Sequence, residues 1–158
     1  MNHRLARDLA VRALLSCFAA LLLAAPLMAQ TAVAAAAANE PQLSDSALVA
    51  RGRTLTAWLL AGEADSIVGS LTEAARTKAG GREGVLQMSA KLAMALGSET
   101  ALVEEKMTRR NGNRQYWRSA TFELFVDEPF VVRWVFDAAG HVMGAGLNPL
   151  SQAPSPDP

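Results

Sequence analysis

Cysteine is almost missing from this chain: Cys17 is the single thiol in 158 residues, and it lies inside an apolar N-terminal run. If that run is cleaved away, the remainder has no disulfide, no cysteine nucleophile and no cysteine–zinc site, and its stability rests on an apolar core. Histidine is nearly as scarce. Beyond His3 there is only His141, and one imidazole does not make a zinc site. An excess of charge of either sign is lacking too. The 15 Lys+Arg balance the 15 Asp+Glu, and from Asn39 onward 12 basic side chains face 14 acidic ones, a formal −2. Such a surface is a poor match for nucleic acid or an anionic membrane, both of which need a basic patch. No phosphate loop, zinc spacing, nucleophile elbow or internal repeat occurs, so no catalytic residue, metal ligand or cofactor is assigned.

What is present begins with a targeting pattern. Arg4, Arg7 and Arg12 precede an apolar stretch from Ala13 to Leu27, which reads as a secretory signal peptide over residues 1–29. Fifteen residues fall short of the roughly twenty that span lipid, and nothing later is longer, so no membrane segment is expected once the signal is removed. Small-residue cleavage sites overlap between residues 29 and 38, and Leu14-Leu15-Ser16-Cys17 only imitates a lipoprotein box. An exported, periplasmic or secreted protein is expected, with an Ala-rich linker over 30–43 and a single domain over 44–150.

Within that domain Ser44 is an N-cap, and Leu48, Val49, Leu55, Trp58 and Leu59 form one helical stripe that Gly62 ends. A second helix is expected from Ala64 to about Thr77–Gly81, and a third from Arg82 to Leu96 with Gly97 as its stop. Four β-rich segments follow, Ala101–Arg109, Arg114–Phe125, Phe130–Phe136 and His141–Leu147, separated by Asn111-Gly112, Val126–Pro129 and Asp137–Gly140. The expected fold is α+β: three N-terminal helices on one face of a curved four-stranded antiparallel sheet. Ser151–Pro158 reads as a proline-rich disordered tail.

The segments Gln115–Glu123, Val131–Asp137, Gly140–Gly144 and Asn148-Pro149 resemble the C-terminal half of a bacterial exported domain of unknown function. That family belongs to the nuclear-transport-factor-2-like, or cystatin-like, superfold. Gly52-Arg53, Leu60–Glu63 and Leu96-Gly97 agree more loosely. The resemblance implies a cone with a pocket at its open end. Relatives can precede a serine hydrolase domain, and no catalytic residues transfer with the fold.

A two-residue turn at Asn111-Gly112 sets a register in which Glu105 opposes Arg118, Met107 opposes Tyr116, Val103 opposes Ala120 and Ala101 opposes Phe122. One apolar face then carries an acid and a base. The pair is either a cross-strand salt bridge or, with Tyr116 and Trp134, the polar part of a ligand pocket: Glu105, Tyr116, Arg118 and Trp134 are the candidate ligand-binding residues. The second hairpin places Asp137 opposite His141 and Trp134 opposite Gly144. Asp137–His141 at a hairpin tip reads as a solvated structural pair rather than an acid–base dyad. Trp117, Val131, Val135, Met143 and Leu147 should share the outer face, an apolar surface suited to a partner or a homodimer. The leading reading is a non-enzymatic exported module that binds a small apolar ligand or a protein partner. The alternatives are a small isomerase or dehydratase using Glu105, and an accessory subunit of a separately encoded hydrolase.

Overall fold

The structure, a computed structural model, describes residues 42–157. The expected signal peptide and most of the Ala-rich linker lie outside the described residues. Helices α1 (Asp45–Ala61), α2 (Ala64–Ser70), α3 (Glu73–Lys78) and α4 (Gly81–Leu96) come first. Strands β1 (Glu99–Arg110), β2 (Asn113–Phe122), β3 (Phe130–Phe136) and β4 (Val142–Pro149) follow as an antiparallel meander in that spatial order. The fold is α+β, with the helices N-terminal to the sheet.

Helix α1 starts where Ser44 Oγ accepts the Ala47 N–H and stops at Gly62, whose φ of 75° needs no Cβ. Its buried residues Leu48, Gly52, Leu55, Thr56 and Leu59 recur every three or four positions and form the stripe that meets the sheet. The second expected helix is two. Leu71 adopts an extended conformation and bridges Val142 of β4, and Thr72 then caps α3 by accepting the Ala75 N–H. The threonine satisfies one of the N–H groups that such a break leaves without a partner.

Asn111 and Gly112 both have positive φ, 51° and 76°, and the β1–β2 register near the turn is the expected one: Glu105 faces Arg118 and Met107 faces Tyr116. Farther from the turn two bulges shift it. Leu102, not Val103, opposes Ala120; Ala101 opposes Thr121; and Glu99 opposes Phe122. The β3–β4 register also departs from expectation beyond Phe136↔Val142, because a bulge at Met143 places Trp134 opposite Ala145 rather than Gly144.

That bulge overturns part of the expected outer face. Leu147 pairs with Val132 and packs into the main core, on the helix side. Met143 sits in the bulge, while Trp117 and Val131 are 5% and 0% exposed. The outer face therefore is not an open apolar surface: beside Val131 and Val135 it carries Gln115, Ser119, Arg133 and Asn148. The core lies between helices and inner face, with Leu48, Leu55, Leu59, Ile67, Val85, Tyr116, Trp134, Phe136 and Val142 at its centre. A smaller cluster joins Leu96 to Phe122 and Phe130, whose rings meet edge-on at 6.3 Å.

The tail expected to be disordered is tied down. After a 3₁₀ turn at Leu150–Gln152, whose first N–H donates to Pro129 O, the chain returns to the other end of the sheet. There Asp157 N–H donates to Arg109 O, and its carboxylate accepts the N–H groups of Asn111 and Gly112 at 3.2 and 3.3 Å. A tight turn leaves those two donors aimed outward, a small nest that a carboxylate fits.

Candidate functional site

Two places on the helix side of the sheet have chemistry to consider. The first is built around Glu105. Mid-β1 it points inward at the level of Gly52 in α1, the glycine that lets the helix lie flush on the Tyr116 ring; any Cβ at that position would overlap the ring. The close approach brings the next residue, Arg53, over the strand. Arg53 Nε lies 3.0 and 2.8 Å from the two Glu105 oxygens and its Nη2 lies 2.5 Å from Oε2, while the Tyr116 hydroxyl donates to Oε1. Arg118 is opposite in register yet 3.7 Å away; its closer partner is Glu99 at 2.5 Å, carried to that side by the bulges of β1.

The electrostatics follow from these contacts. The Arg53 hydrogen bond holds the Glu105 carboxyl below the usual range; its burial opposes this, and the Tyr116 and Arg118 groups reinforce it. Burial, and then the hydrogen bond to Glu105, push the Tyr116 phenol well above its ordinary value. Glu105 is therefore an ionised acceptor with its lone pairs occupied, and Tyr116 a neutral donor. The expected acid–base pairing is present, but its principal cation is Arg53, which the strand pattern did not single out.

The second place is a cavity of about 230 Å³ between α2, α3, α4 and the β3–β4 hairpin. Ile67, Leu71, Ala75, Val85, Met88 and Trp134 line it, with Met143 and Ala145 on the strand side and exposed Lys78 as its charged lining residue. Trp134 is the one expected ligand-binding residue found here. Its indole is fixed from behind: Nε1 donates to Thr56 Oγ1 at 3.0 Å, and that hydroxyl donates to Gly52 O at 2.8 Å. Thr56 lies 78 residues from Trp134 in sequence, and only the packed structure shows it as the indole's partner.

Asp137 and His141 meet at the β3–β4 turn, Nδ1 to Oδ2 at 3.2 Å, and the Asp137 carboxylate also accepts the His141 N–H at 2.7 Å. With the imidazole 54% exposed, the pair braces a hairpin in water. Among the described residues no group of three or more His, Cys, Asp or Glu is placed to hold a metal ion, and no helix is long and apolar enough to cross a membrane. Comparison of the chain with family models, curated proteins and solved structures finds no match in any of the three.

Proposed function

We propose that the protein is a binding module for a compact apolar molecule, seated in the cavity beside Trp134. The observation that carries this reading is the cavity's construction: apolar side chains from three helices and two strands leave about 230 Å³ unfilled between them. That volume equals roughly eight waters, which suits a short hydrocarbon chain or a small ring. Lys78 favours a ligand with an anionic end. The isomerase or dehydratase alternative draws less support, because a carboxylate held below its usual pKa and already bonded to Arg53 and Tyr116 is a weak general base. Helices followed by a four-stranded meander support membership of the nuclear-transport-factor-2-like superfold, and the basic and apolar N-terminal pattern supports export.

The test is titration with hexanol and hexanoate, followed by tryptophan fluorescence in a Trp58→Phe, Trp117→Phe background. Saturable quenching of Trp134 is expected, tighter for hexanoate and tighter only while Lys78 is present. Ala75→Leu, which fills the cavity, should abolish the signal without lowering the thermal midpoint. Equal binding by the Ala75→Leu variant, or none by either protein, would defeat the proposal.

A further inference from the structure

The outer face of the sheet has a different polar group from the one around Glu105. Arg133 on β3 is 8% exposed, and among the described residues no carboxylate pairs with it. Its Nη2 donates to Asn148 Oδ1 at 3.0 Å, while its Nε–H has no acceptor. The guanidinium lies across Gly146, where any Cβ would displace it. Arg110 of β1 shares the same depression, which encloses about 220 Å³ and is lined also by Asn113, Gln115 and Val135. Arg110 spends one N–H on the Ser155 carbonyl at 2.9 Å. The nearby acid, Asp157, is already committed to the turn N–H groups.

Two cations in one hollow with no anion are unfavourable as they stand. Burial first, and the charge of Arg110 second, push the Arg133 pKa down, the signature of a cation that has lost water without gaining a counter-charge. Gln115 is fully buried; its Nε2 donates to Thr108 Oγ1 and its Oε1 has no partner. The Thr108 hydroxyl in turn donates to the Gln115 backbone carbonyl at 3.3 Å, so this side chain is held in place as part of the wall of the hollow. We propose that this hollow is a binding site for a small oxyanion, carboxylate or phosphate, clamped between the Arg133 and Arg110 guanidinium groups with Asn113 as a neutral donor. Planar guanidinium forks match the oxygen spacing of either anion, and a partly dry site strengthens the attraction.

The full chain is titrated calorimetrically with inorganic phosphate and, separately, with acetate, at an ionic strength held constant by chloride. Saturable single-site binding of at least one of them below about 10 mM is expected, and which one binds identifies the source of the oxyanion. Arg110→Gln, which leaves Arg133 and its Asn148 bond intact, should weaken binding about tenfold or more. Gly146→Ala, which displaces the guanidinium without removing charge, should do the same. Absence of saturation for both anions, or equal affinity in wild type and Arg110→Gln, overturns the site. Binding that appears only after residues 153–158 are deleted overturns it as well, because the arginines then serve the tail.

Discussion

The two faces of one sheet treat charge in opposite ways. On the inner face Glu105 is enclosed by Arg53, Tyr116 and Arg118, so each donor has an acceptor and the cluster ties α1 to β1 and β2. On the outer face Arg133, Gln115 and Trp117 each keep a buried polar atom without a partner. A closed network is structural: removing one member strands the others. An open one contributes little to folding until something arrives to complete it, because an unpaired buried group costs free energy while it waits. Burial of polar side chains alone therefore does not separate scaffold from site, whereas the balance of partners does.

The largest effect that would break this comparison is steric. Gly52→Val drives a branched side chain into the Tyr116 ring and lifts α1 from the sheet, and a loss of about 3 kcal/mol is expected in urea denaturation. Next comes Tyr116→Phe, which leaves the ring's packing intact and removes a donor to a half-buried carboxylate, for about 2 kcal/mol. A third prediction concerns acid. Because the folded-state pKa of Glu105 is lowered, its stabilising contribution is complete above the unfolded carboxylate value of about 4.3 and fades as pH falls through the folded value. The stability gap between wild type and Glu105→Gln should thus be flat from neutrality to about pH 5 and shrink below it. The smallest effect belongs to the other face: Arg133→Met exchanges an uncompensated buried cation for an apolar side chain, and stability should stay within about 1 kcal/mol of wild type or rise. A loss as large as that of Tyr116→Phe would show that the outer cluster is structural after all.

How much of this was legible in the residues depends on how local the cause was. Ser44, Gly62 and Asn111-Gly112 act through their immediate neighbours, so the start and end of α1 and the pairing of Glu105 with Arg118 could be read directly. Each later bulge was invisible, since nothing in Glu99–Glu104 or at Met143 marks an extra residue, and a shift of one residue sends Leu147 to the inner face. Arg53 reaches Glu105 across 52 positions of sequence. The clue to it was Gly52, because a glycine in mid-helix marks close backbone approach and its neighbour flanks the contact. The cavity had no local signal at all: it arises where α2 and α3 part at Leu71–Thr72, a break that a periodic apolar pattern does not reveal.

Asp157 has a consequence for how this body can be attached to anything else. Arg114 donates to the Leu43 carbonyl just before α1 and lies 3.7 Å from Asp45, while Asp157 grips the adjoining turn at Asn111-Gly112. Both ends of the folded body therefore leave from one pole, beside the β1–β2 turn. Spliced into the loop of a host protein, it would need only a narrow gap there, with its opposite pole projecting free. By the same geometry, residues 42 and 157 should be joinable by a short glycine-rich link and the chain reopened at Val126–Pro129 without disturbing any strand pairing.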